Sequence, residues 1–94
     1  MIHKVYTVYD SKVEAYLRPF FIPSDGAAIR AMIDCLRDPG HAFAAHPGDY
    51  SLFYVGEWDD ASAEFYPAIT RLNLGLLSDL HKTQVADAKE GEER

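Results

Sequence analysis

One amphipathic stripe sets the limits on what this chain can become. In AAIRAMIDCLR, residues 27–37, the apolar side chains Ala28, Ile29, Met32, Ile33 and Leu36 recur at spacings of three and four, while Arg30, Asp34 and Arg37 fall on the other side. Ser24 is a good helix N-cap, and Asp25 complements the positive end of the helix dipole. Pro19 and Pro23 forbid a regular helix upstream and favour an extended, edge-lying connector. Asp38-Pro39-Gly40 stops the helix downstream. A single helix of about three turns has one apolar face, and that face needs a sheet or other helices to cover it.

The flanking segments supply strands. Ile2 to Tyr9 is rich in β-branched and aromatic residues and alternates in character, although the alternation does not say which face is buried. Tyr50 to Val55 is a continuous apolar run ended by Gly56. Ala63 to Tyr66 is expected to pair with it through the turn Asp59-Asp60-Ala61-Ser62. Between these, His41 to Asp49 is a connector with one helical turn around Phe43. Beyond Pro67, the spacing of Ile69, Leu72, Leu76, Leu77 and Leu80 predicts a C-terminal helix, with Gly75 weakening it and an irregular segment docking its leucines as the alternative. The expected fold is therefore α+β: a small antiparallel sheet of about three strands in β-α-β-β order, with the central helix packed on one face and a helix at the C-terminus. Residues 1–84 form one domain, and the charged segment 85–94 is expected to be a mobile tail.

Composition excludes several function classes. The chain has 94 residues, so it buries a modest core and would gain from oligomerisation. Its apolar runs are too short to cross a membrane. A single cysteine, Cys35, offers no disulfide framework and points to a reducing compartment. The formal charge of −6 opposes tight non-specific binding to nucleic acid. That charge is unevenly spread. Residues 1–37 hold five basic against four acidic side chains, whereas 38–64 hold six acids and no lysine or arginine.

No catalytic constellation stands out. His41 and His46, near Cys35 and Asp49, match no structural-zinc spacing, so no metal or other cofactor is expected. Cys35 lies close to the apolar stripe and reads as a small core residue. Asp59 and Asp60, with Glu57, read as turn formers rather than an acid–base pair. The serines sit at turns and caps, and no phosphate-binding glycine loop is present. The chain is not expected to be an enzyme.

Two aromatic sets remain. Tyr6 and Tyr9, with Lys4, Lys12, Arg18, Phe20 and Phe21 nearby, form a candidate platform for single-stranded nucleic acid, where rings stack on bases and cations track phosphates; the residues expected to carry it are Tyr6, Tyr9, Lys12 and Arg18, with Arg30 and Arg37 on the helix. On residue chemistry alone, a plain aromatic core is the favoured reading. Tyr50, Phe53 and Trp58 lie among acids and suit a protein–protein contact, with core packing again the simpler reading.

The run VYDSKVEAYLRPFF at 8–21, the Ala-Ala-Ile-Arg-Ala helix, and HPGDYSLFYVGEWDD at 46–60 together resemble the small non-structural proteins of gokushoviruses, single-stranded DNA bacteriophages of the Microviridae. The most specific parts are Tyr6 to Lys12 and His46 to Tyr50 leading into Gly56. The match fades beyond Pro67. The resemblance implies a non-structural protein in the host bacterial cytoplasm, outside the mature virion, that assists single-stranded DNA replication or packaging. It brings no catalytic residues. The expected partners are single-stranded DNA and phage or host replication proteins. The alternative is an interaction module, a homodimer or an adaptor to a host protein or the phage replication initiator, that binds no DNA.

Overall fold

The structure is a computed structural model, and it describes residues 1–80. Five antiparallel strands make one sheet: β1 (Ile2–Asp10), β2 (Ala15–Tyr16), β3 (Phe20–Ile22), β4 (Tyr50–Asp59) and β5 (Glu64–Leu76). Their order is β2-β1-β4-β5, and β3 shares with β2 the outer side of β1. Helix α1 (Asp25–Leu36) and the short α2 (Ala42–Ala45) lie between β3 and β4, and a 3-10 turn (Pro47–Asp49) leads into β4.

The sheet corrects the expected fold. The three-stranded sheet with a central helix does not form; the described chain is mostly antiparallel sheet of five strands, curled into a half-barrel. The largest departure is β5. The segment expected to be a helix from Ile69 continues the hairpin strand to Leu76, and the described residues beyond it, 77–80, are helical. Its leucines have helical spacing, but Leu72-Asn73-Leu74-Gly75-Leu76 also alternates with period two, and pairing with β4 decides the conflict in favour of a strand. Pro19 and Pro23 bracket β3, which is the extended connector turned into an edge strand. The tail expected at 85–94 lies outside the described residues.

Local chemistry fixes the other elements. The Ser24 hydroxyl accepts from the Ala27 N–H 3.1 Å away and caps α1. Likewise His41 caps α2, its Nδ1 accepting from the Phe43 N–H. The β4–β5 turn is closed by the Ala63 N–H on the Asp59 carbonyl at 2.8 Å and by the Ala61 N–H on the Asp59 carboxylate at 2.9 Å. Ala63 takes a left-handed conformation there, with φ 61°.

Even-numbered residues of β1, and those of β4 as far as Tyr54, face α1. Tyr6, Val8, Tyr50 and Leu52 pack with Ala28 and Met32 of α1, Phe43 of α2, and Leu77. Each large side chain buried this way contributes about 1.5–3 kcal/mol. The Tyr6 hydroxyl donates to the Asp25 carboxylate at the start of α1, which ties the helix to the sheet. Burial first, and then that carboxylate, pushes the Tyr6 phenol well above the ordinary tyrosine range.

Candidate nucleic-acid interface

The other face of the sheet carries no helix. Odd-numbered residues of β1 point to it, and the register adds their partners: His3 lies across from Trp58, Val5 from Gly56 and Phe21, Thr7 from Phe53, and Tyr9 from Tyr16. Trp58 in turn lies across from Phe65, and Gly56 from Pro67. The result is a face of rings with Val5 and Thr7 buried as its floor.

The rings form two clusters. At one end Phe21 meets Trp58 at 5.4 Å and Phe65 at 5.8 Å between ring centroids, and His3 lies 5.7 Å from Trp58. At the other end Tyr9, Tyr16 and Phe53 are in mutual contact, with Tyr9 and Tyr16 at 4.8 Å and Tyr16 and Phe53 at 5.5 Å. The Arg71 guanidinium sits 5.6 Å from the Tyr16 ring. Both clusters join residues of opposite edges, so the face is concave. Between them lies a largely apolar cavity of about 230 Å³, lined by Val5, Pro19, Gly56, Phe65 and Pro67 among others.

The curl comes from breaks in register, one where Leu74 is skipped between β4 and β5 and two that meet on the Val55 rung. Val55 is skipped between β1 and β4, where Val5 pairs with Gly56 and Tyr6 with Tyr54. On the β5 side the same position faces four residues, 68–71, because Tyr54 pairs with Leu72 and Gly56 with Pro67. Such bulges bend strands and raise their twist. Gly56 makes the bend possible: its φ is +154°, and a Cβ there would lie 2.6 Å from the Tyr66 carbonyl oxygen.

The sequence-predicted residues separate under this geometry. Tyr9 lies on the groove floor with Phe53 and Trp58. Lys12 is exposed in the β1–β2 turn, and Arg18 is exposed between β2 and β3. Tyr6 faces the opposite way and is fully buried, and Tyr50 is in the same core against Phe43. Arg30 on α1 and Arg37 at its C-cap are exposed, on the far side of the sheet from the groove.

Sequence reasoning raised Phe21 within the candidate platform but chose neither it nor Tyr16, Phe65 or Arg71 as a site residue. The last two lie in β5, where alternation of Phe65, Pro67, Arg71 and Asn73 was the available signal. Three of these rings are partly exposed, Tyr16 being 43%, Phe21 42% and Phe65 58% exposed. A partly solvated ring beside a guanidinium suits stacking of a flat, anionic ligand.

No cluster of three or more His, Cys, Asp or Glu side chains able to hold a metal ion occurs among the described residues. No described helix is long and apolar enough to cross a membrane. The Cys35 thiol is half-buried, and burial pushes it above its ordinary pKa, so it is a poor nucleophile.

Comparison with known families gives one match: the model of the Phage ORF5 protein family covers residues 3–80. No curated protein and no solved structure matches the chain.

Proposed function

This phage protein belongs to the Phage ORF5 protein family, and from that membership and the open aromatic groove we propose a non-enzymatic protein that binds single-stranded DNA during replication or packaging of a gokushovirus-type genome. It acts in the host bacterial cytoplasm and stays outside the virion. The observation that carries the reading is the helix-free concave face, where Tyr16, Phe21 and Phe65 present partly exposed rings and Arg71 lies over Tyr16.

Bases stack on such rings at roughly 1–3 kcal/mol each, without regard to sequence. The cavity between the clusters is apolar and offers few groups to read base edges, which favours sequence-tolerant binding. Lys12 and Arg18 on the β1 edge and Arg71 on the β5 edge lie where a strand running along the groove would place phosphates. The overall charge of −6 holds the affinity to a modest level, and the phosphate contacts of Lys12, Arg18 and Arg71 make it weaken with salt.

The test is fluorescence anisotropy of a labelled single-stranded oligonucleotide at low and moderate salt, read alongside the emission of Trp58, the single tryptophan, which lies in the groove. Micromolar binding that quenches Trp58 and weakens with salt supports the proposal. Flat anisotropy at low salt removes it.

A further inference from the structure

The two edges of the sheet are unlike. One is made of β2 and β3, two and three residues long, and the exposed link through Arg18 and Pro19 interrupts it. Short, broken edges of this kind resist pairing with another chain. The other edge is β5, thirteen residues with one side on β4 and the other unpaired among the described residues. From Phe65 to Leu76 its only charge is Arg71, which turns into the groove over Tyr16. On the convex side Tyr66 is 47% and Leu72 53% exposed, and Ile69, in the bow opposite Val55, is fully exposed.

We propose that a second copy of this chain pairs antiparallel along β5, with the two-fold axis passing through Ile69. The strand is its own complement in that register. Ile69 meets the partner's Ile69, Tyr66 meets the partner's Leu72, and Arg71 meets the partner's Pro67. Glu64 falls across from the partner's Leu74, so no like charges are opposed. In a chain of charge −6, this acid-free strip is where two copies approach with little repulsion. Nothing charged on the strip specifies a different partner, whereas a self-complementary patch is what an isologous interface requires. The exposed Tyr66, Ile69 and Leu72 side chains present on the order of 400 Å² per copy, against about 800 Å² per partner for a standard interface, so association is expected in the micromolar range. The axis of an antiparallel pair runs normal to the sheet, and both grooves therefore open to the same side.

Analytical ultracentrifugation tests this directly on the full chain. The wild type is expected to dimerise at tens of micromolar, and Ile69→Asp, an exposed site, to be monomeric with an unchanged circular-dichroism spectrum. In a Cys35→Ala background, Ile69→Cys is expected to form a disulfide-linked dimer under mild oxidation, because residues opposed across an antiparallel pair lie at roughly 4.5–5.5 Å between Cα atoms, within disulfide reach. Lys12→Cys in the same background is expected to stay monomeric. A monomeric wild type at hundreds of micromolar overturns the proposal. So does a dimer that survives Ile69→Asp, or an Ile69→Cys thiol that cross-links no faster than the Lys12→Cys control.

Discussion

The rings of Phe21 and Phe65 lie 5.8 Å apart although β3 and β5 are separated by two intervening strands. Three strand spacings in a flat sheet amount to roughly 14 Å. Side chains from opposite edges meet only because the sheet curls, and that curl turns scattered aromatics into one groove. Arg71 and Tyr16 repeat the relationship at the other end.

Removing one rim ring should weaken binding without unfolding the protein. Phe65→Ala is expected to lower single-strand affinity about tenfold, in keeping with roughly 1–3 kcal/mol for one stacked base. Its melting temperature should change little, since the ring is more than half exposed. Arg71→Gln is expected to reduce the salt slope by about one. Anisotropy titrations across several salt concentrations check both.

Tyr6→Phe should destabilise the fold by about 1 kcal/mol, the usual worth of a hydrogen bond to a partly solvated carboxylate. For a domain of this size that is roughly 4–8 °C in Tm. The phenol is held above its ordinary pKa by burial and by Asp25. Its stabilising contribution is therefore complete below about pH 10, the unfolded value, and is lost as pH rises toward the folded value. Urea melts at about pH 9 and about pH 11 should show a shallower alkaline loss in Tyr6→Phe than in the wild type.

Gly56→Ala is expected to cost more than an ordinary surface change, about 2 kcal/mol or above, from the strained φ and the collision with the Tyr66 carbonyl. If strand separation relieves the collision, the groove flattens and Phe21 loses Phe65. Chemical denaturation reads the first effect, and the Trp58 emission maximum reads the second.

At the hairpin end, the Asp60 carboxylate accepts from the Met1 amino group at 2.6 Å and pairs with His3 at 2.9 Å, which holds its pKa below the usual carboxylate range. A depressed folded pKa means that the contribution is present above the unfolded value of about 4 and disappears as pH falls through the lower folded value. Asp60→Asn should thus melt below the wild type at neutral pH and converge with it in acid. Thermal melts across that range decide it, and parallel curves would remove Asp60 from the account.

What could be read from the sequence was what is local. The Ser24 cap, the stripe from Ala28 to Leu36 and the Asp38-Pro39-Gly40 stop act within a few residues, and α1 lies where they put it. β1 was equally plain as a strand, but its two faces are both apolar or aromatic, so Tyr6 and Tyr9 looked alike before the helix chose a side. In β5, leucine spacing suggested a helix over a segment whose pairing partner lies some twenty residues upstream. The groove was the least visible feature, since it depends on the Val55 rung and brings together Phe21 with Phe65 and Tyr16 with Arg71, residues more than forty positions apart.

That rung has a consequence of its own. The rings of the groove stand on the open face of the sheet, whereas Tyr6, Val8, Leu52 and Met32 are anchored on the helical face. Adding or removing a residue in the 68–71 bow would widen or narrow the trough while leaving the anchored half untouched. The protein thus separates the part that must stay constant to fold from the part free to be retuned to a different guest.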